Sequence, residues 1–346
     1  MDAPPAVGAQ VKGGRAEGRR AAGLQSLLRC CLAAILQCCV AASAQGAERY
    51  ALIVTGASGG DPYAAKYDGW RQALVTTLED AFGYPHDHVI VLAERERDGV
   101  RKATRENVQR AIAELRRRLT ADDQLIVLLI GHGTSMDGED AKFNLVGPDL
   151  SASEWTDLLR PLPGRLVFVN TSSASFPFLR KLATKGRIVL TATDSSAQQF
   201  ETVFPEFFIR ALTDPEADLD KNGRVSIWEA FTFASNAVQR TFQEKGQLPT
   251  ERPLLDDTGA GIGREAQTPG PDGAVARITY LQPDAPVALP SDSAMADLFK
   301  RRAELESEVE ALKARKDTMP ADQYDAELER LLVEIARVSA QIRTKS

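Results

Sequence analysis

Five short stretches of this chain are apolar almost without interruption: residues 50–55 (YALIVT), 88–92 (HVIVL), 124–130 (QLIVLLI), 165–170 (RLVFVN) and 187–193 (RIVLTAT). A strand with one wet face alternates apolar and polar residues. A strand apolar on both sides belongs to a sheet covered on both faces, which is the habit of parallel α/β proteins. Helical periodicity fills the gaps, at 66–81 and 104–119, with shorter helices expected at 153–159, 177–183 and 204–212. The alternation predicts an α/β fold with a doubly wound, mainly parallel sheet flanked by helices.

Such sheets bind ligands beyond the carboxyl ends of their strands. Those ends carry Gly56-Ala57-Ser58-Gly59-Gly60, Gly131-His132-Gly133, Thr171-Ser172-Ser173-Ala174-Ser175 and Asp194-Ser195-Ser196. The first is not a dinucleotide fingerprint, because Gly56, Gly59 and Gly60 do not make G-x-G-x-x-G, and no Walker lysine follows. Three histidines are present. His86 and His88 flank Asp87 in a loop and read as a solvated turn. His132 stands between two glycines at a strand end, where both ring nitrogens can be exposed and a substrate backbone can approach closely. The plainer alternative is a structural histidine bonded to a loop carbonyl.

In order and spacing these segments resemble the legumain- and caspase-like cysteine peptidases, from about residue 50 to 234. ALIVTGASGG is similar to legumain's first strand and glycine turn, and Pro85–Leu92 (PHDHVIVL) to the approach to its second strand. Ile130-Gly131-His132-Gly133 matches the motif of the catalytic histidine, and LVFVN at 166–170 precedes the family's nucleophile. The resemblance implies a caspase-like fold, His132 as base, the Gly133 amide in an oxyanion hole, and the nucleophile position at Ser173, or Ser172 with alignment slack. It also sets Gly56 and Asp194 beside the substrate pocket. Ala64 stands where legumain's substrate-binding arginine would be, so asparagine specificity is not implied.

The attacking atom is the departure. All four cysteines lie at positions 30, 31, 38 and 39. That segment reads as a secretory signal peptide over 1–44: a basic start (Arg15, Arg19, Arg20, Arg29), an apolar run, then Ala42-Ser43-Ala44. Cleavage would send the chain to the periplasm or outside the cell, with no thiol, no disulfide and no cysteine metal site. A membrane anchor that stays in place is the alternative. A serine hydroxyl is far less acidic than a thiol and needs a well-oriented base. Three readings stay open: a catalytically silent relative (pseudopeptidase) acting in binding or envelope assembly, a serine-dependent peptidase using Ser173 and His132, and an assembly module.

Of 42 basic and 48 acidic residues, the first 44 positions hold five and two, leaving nine more acids than bases in the remainder. That excess argues against nucleic acid as a partner. No later stretch is apolar enough to span a bilayer. A protein or peptide ligand at the strand-end cleft is the expected partner there.

Residues 218–229 (DLDKNGRVSIWE) fit a twelve-residue EF-hand-type calcium loop. Asp218, Asp220 and Asn222 offer side-chain oxygens, Gly223 permits the sharp turn, and Arg224 offers its carbonyl. Ser226 is a direct or water-mediated ligand, and Glu229 can bind in bidentate fashion. A helix over 227–242 should follow. The cofactor expected is Ca2+; the alternative is an acidic turn capping that helix.

The α/β domain is placed at 45–258, then a Gly/Pro/Asp-rich linker over 259–292 with an edge strand at 275–281. Residues 293–346 form the last unit. Tyr324, Leu328, Leu331, Ile335, Val338 and Ile342 are spaced 4, 3, 4, 3, 4, and Leu298, Leu305, Val309 and Leu312 follow the same heptad. With Pro320 between them, these are expected to be an antiparallel coiled-coil helical hairpin, self-closed or used for assembly.

Overall fold

The computed structural model describes residues 47–136, 138, 140–283, 293–313, 316 and 319–345; the signal peptide expected at 1–44 lies outside them. In chain order the strands are β1 (Arg49–Thr55), β2 (Val89–Ala93), β3 (Val100–Lys102), β4 (Gln124–Ile130), β5 (Gly133–Thr134), β6 (Lys142–Phe143), β7 (Leu150–Ser151), β8 (Arg165–Asn170), β9 (Ile188–Thr191) and β10 (Leu254–Asp256). The helices are α1 (Asp61–Thr76), α2 (Arg105–Arg118), α3 (Ala152–Leu159), α4 (Phe176–Leu182), α5 (Phe204–Ala211), α6 (Ile227–Glu244), α7 (Ala274–Arg277), α8 (Ser293–Lys313) and α9 (Ala321–Lys345).

Seven strands form one sheet in the order β10-β9-β8-β4-β1-β2-β3, and β5, β6 and β7 form a small antiparallel sheet. Every pairing in the large sheet is parallel except β10 on β9. Ile53 of β1 lies beside Leu128 of β4 and Val91 of β2, which fixes the register. The period of two then sorts side chains between two cores. Ala51, Ile53, Ile126, Leu128, Val167 and Val169 pack on one face with residues of α1, α5 and α6. Leu52, Val54, Val127, Leu129 and Phe168 pack on the other with residues of α2, α3 and α4. Each of the larger side chains contributes about 1.5–3 kcal/mol relative to exposure, and a charge on either face of these strands has no wet side to turn to.

Local chemistry sets the helix starts. Thr104 accepts the Asn107 N–H ahead of α2, and Ser151 with Glu154 forms a capping box on α3; such caps contribute about 1 kcal/mol each. The first helix begins at Asp61, earlier than its apolar period indicates, because Pro62 sits in the first turn, where no N–H is needed. It runs on through a π-helical turn at Thr77–Ala81.

The segment after residue 258 differs from the linker and edge strand expected of it. Residues 274–277 form the helical turn α7, and the edge strand is Leu254–Asp256. The buried Asp257 carboxylate accepts N–H bonds from Gly273 (2.9 Å), Val275 (2.8 Å) and Ala276 (2.9 Å), holding that backbone in a helical start. Asp272 in turn accepts from the Asp257 N–H and from Thr258. Leu255 bridges Arg264. These bonds make 259–283 part of the sheet domain; the rest of the expected linker, 284–292, lies outside the described residues.

Helices α8 and α9 pack together through Leu305, Val309, Leu312, Tyr324 and Leu331, with Leu328, Ile335 and Val338 alongside. Among the described residues no helix is long and apolar enough to cross a membrane.

Candidate functional site

The sheet's connections diverge at β1: β2 and β3 lie to one side of it, β4, β8 and β9 to the other. The carboxyl ends of β1 and β4 therefore open where a crevice is expected. Backbone fills much of it. A Cβ on Gly56 would lie 2.2 Å from the Asn144 carbonyl and 3.0 Å from the Phe143 ring. The Ala57 N–H donates to that carbonyl (3.0 Å), and the Asn144 N–H donates to the His132 carbonyl (3.0 Å). The chain after β6 docks on Gly56, which was expected beside a substrate pocket. The cavity left here, lined by Thr55, Gly56, Ser58, Ala64, Tyr67 and Glu94 among others, is about 10 Å³. That is room for about one water, against several hundred Å³ for an ordinary ligand pocket. A cleft of about 320 Å³ lies elsewhere, lined by Ser235 and Gln239 of α6 and by Glu251, Arg252 and Gln267.

His132 faces the β1 side. Its Nε2 is 3.0 Å from the Ser58 carbonyl and 3.1 Å from Tyr67 Oη. A carbonyl only accepts, so Nε2 is the donor in that contact. Two tyrosines of α1 box the ring edge-on, Tyr63 at 5.0 Å and Tyr67 at 5.6 Å between centroids. Burial holds the Tyr67 phenol well above its usual range.

Ser173 is 2% exposed and bonded to the next strand end. Its Oγ donates to the Gly133 carbonyl (3.0 Å) and accepts the Gly133 N–H (3.1 Å). The hydroxyl proton that a base would take is thus held by the Gly133 carbonyl, and the amide that an oxyanion would need is held by Ser173 Oγ itself. No hydrogen bond joins His132 to Ser173 or Ser172 among the described residues. Ser172 Oγ donates to Asn170 Oδ1 (2.7 Å). Beyond them Ser175 and Thr193 exchange bonds: the Ser175 N–H reaches Thr193 Oγ1 (2.9 Å), and the Thr193 N–H reaches Ser175 Oγ (3.1 Å). The turn carries one strained residue, Ala174, at φ 50°. Asp194 turns to Arg252 at 3.7 Å, a half-exposed pair of little energetic weight.

The acidic loop has a different character. One oxygen each from Asp218, Asp220 and Glu229 converge within 4.8 Å of one another. Gly223 takes φ 85°, which leaves its N–H 2.9 Å from Asp218 Oδ2. Burial, reinforced by the Glu229 and Asp218 carboxylates, raises the Asp220 carboxyl above its usual range. A cation would relieve that crowding, and carboxylate oxygens suit a hard one. Asn222 and Ser226, two more of the expected ligands, make side-chain bonds within the loop. Asn222 Oδ1 accepts the Arg224 N–H (2.9 Å), and Ser226 with Glu229 forms the capping box of α6. The Arg224 guanidinium stacks on Tyr280 at 4.0 Å and donates to the Gln282 carbonyl. The loop pairs with this same segment through the Ser226–Tyr280 bridge and the Ile227 N–H to Thr279 carbonyl bond (2.8 Å).

Sequence reasoning missed Tyr63 and Tyr67, whose spacing of four on a helix places them on one face; that was a usable signal once the helix start was known. It also missed Glu251, 2% exposed, which accepts the Val203 (2.8 Å) and Phe204 (2.7 Å) N–H groups at the start of α5. Burial pushes its carboxyl up to about 7. Its surroundings in the sequence are polar and gave no hint of burial.

No family model matches the chain, and no curated protein does. A crystal structure of a Geobacter sulfurreducens protein, solved as a structural-genomics target, is similar at 17% identity and TM-score 0.39, covering 60% of this chain and 92% of its own.

Proposed function

We propose that this chain is an exported, catalytically silent protein of legumain/caspase type, with a doubly wound sheet, acting in binding or envelope assembly. The observation that carries this reading is the mutual bonding of Ser173 Oγ with the Gly133 amide and carbonyl. A serine nucleophile must give its proton to the base and leave the amide free for the oxyanion. Here both are committed, the proton to the Gly133 carbonyl and the amide to Ser173 Oγ. The C-terminal helices are read as an antiparallel coiled-coil hairpin for assembly; the Arg301–Glu334 (3.1 Å) and Arg330–Glu308 (3.8 Å) ion pairs support that direction. In the loop at 218–229, Asp218, Asp220 and Glu229 would hold Ca2+, with the Arg224 carbonyl as a further donor. Bound calcium would offset two of the three negative charges crowded there and tie α6 to the 279–282 segment.

A serine-dependent hydrolase is the second reading, favoured by the strained Ala174 turn directly after Ser173, since strained strand-to-helix turns often present nucleophiles. A fluorophosphonate probe separates the two. Incubated with the full chain, it is expected to leave Ser173 unlabelled. Labelling of Ser173 that disappears in His132→Ala establishes the hydrolase instead.

A further inference from the structure

The outer side of α9 carries large apolar residues that nothing among the described residues covers. The inner side, from Tyr324 to Ile342 at heptad spacing, packs on α8. Away from it, Leu332 is 50% and Val333 42% exposed. They lie in a shallow groove of about 380 Å³ whose other walls are Asp325, Leu328, Glu329 and Ala336. Exposed helix positions are normally polar, so two adjacent branched residues here call for a cover.

The charges around them say what that cover is. On the flank toward α8 the charges are already satisfied: Arg330 pairs with Glu327 (2.6 Å), Glu334 (3.3 Å) and Glu308 (3.8 Å). On the outer side, Glu329 and Arg337 have no ion-pair partner among the described residues, and both are exposed. They stand four residues before and four residues after Val333. On this side the acid, Glu329, comes before Val333 and the base, Arg337, after it.

We infer that the outer face of α9 binds the same face of a second copy of this chain, antiparallel, about a twofold axis near Val333. That arrangement sets Glu329 of each copy opposite Arg337 of the other, twice. It also covers Leu332 and Val333. Parallel pairing would put Glu329 against Glu329. The small residues Ala326, Ala336 and Ala340 on this side let the helices approach closely. A twofold contact needs one self-complementary patch, and the order of charges supplies it. The inference rests on reading the C-terminal helices as an assembly element, and names the partner.

The test uses the full chain in sedimentation equilibrium over a range of concentrations. The wild type is expected to dimerise. Glu329→Arg alone, or Arg337→Glu alone, replaces two attractions by two repulsions and is expected to weaken the dimer about tenfold. An equal mixture of the two single variants restores attraction at both contacts and is expected to recover wild-type affinity as a heterodimer. Leu332→Glu with Val333→Glu is expected to give a monomer with an unchanged circular dichroism spectrum. A monomeric wild type overturns the inference. A wild-type dimer indifferent to all these variants also overturns it, while leaving assembly through another surface standing. Capture of a different protein by a monomeric chain, lost in the Leu332/Val333 variant, replaces the second copy by that partner.

Discussion

Replacing Glu229 with glutamine preserves its size and removes half of its accepting capacity. In the fold this carboxylate is 5% exposed and accepts four bonds. Oε1 takes the Leu219 (2.9 Å) and Asp220 (3.2 Å) N–H groups; Oε2 takes the Ser226 N–H and hydroxyl, each at 2.8 Å. A glutamine offers one oxygen. Whichever pair faces its NH2 group meets a donor instead of an acceptor, so two bonds are lost at about 1–1.5 kcal/mol each. Relief of repulsion from Asp218 and Asp220 offsets part of this. The expected net loss is about 2 kcal/mol in urea unfolding with chelator present. Calcium adds a second readout. At a hundredfold excess over its dissociation constant, a ligand of the folded state alone adds about 2.7 kcal/mol. The wild type is expected to gain stability of that order on moving from chelator to saturating calcium, and Glu229→Gln almost none. A wild-type unfolding midpoint identical in the two conditions refutes the calcium assignment. An unchanged midpoint for the variant in chelator refutes the capping argument separately.

Glu251 carries a pH signature. Its carboxyl is raised from 4.5 to about 7 by burial, so between those values the folded chain holds a proton that the unfolded chain has released. Its contribution to stability is therefore fully present below about 4.5 and is lost as pH rises through about 7, by roughly 3 kcal/mol in all. Urea melts from pH 4 to 8 on the wild type and Glu251→Gln check this, since other titrations cancel in the difference; parallel curves for the two proteins contradict it. Two glycines should respond oppositely to alanine in thermal melts. Gly133→Ala drives a Cβ to 2.2 Å from the Ser173 backbone carbonyl and is expected to lose about 3 kcal/mol or more. Gly69→Ala, inside α1 with nothing within 4 Å of the new carbon, is expected to gain about 0.5–1 kcal/mol; losses of similar size at both positions contradict the packing described.

The five apolar strands of the large sheet, β1, β2, β4, β8 and β9, were legible because their signal is local. An uninterrupted apolar run such as 124–130 states that both faces are covered, whatever covers them. The capping residues Thr104, Ser151 and Ser226 act within three positions and mark their helix starts for the same reason. The short elements were not legible. Residues 254–256 become an edge strand only because β9 is beside them, and 274–277 turn helical because Asp257, some twenty residues earlier, captures their N–H groups.

The candidate site divides in the same way. Sequence alone determined that His132 lies between glycines at a strand end, that serines follow the next strand, that no thiol stands there, and that acids recur at calcium-loop spacing. Residue type and short-range order carry all of that. Tertiary structure decided where each group points: His132 Nε2 onto the Ser58 carbonyl, Ser173 Oγ onto the Gly133 backbone, Asp194 onto Arg252. Hydrogen-bond partners 40 to 75 positions apart are set by strand order and by how closely two backbones meet, and a glycine in the sequence does not say whether a ligand or another chain segment will fill the space it leaves.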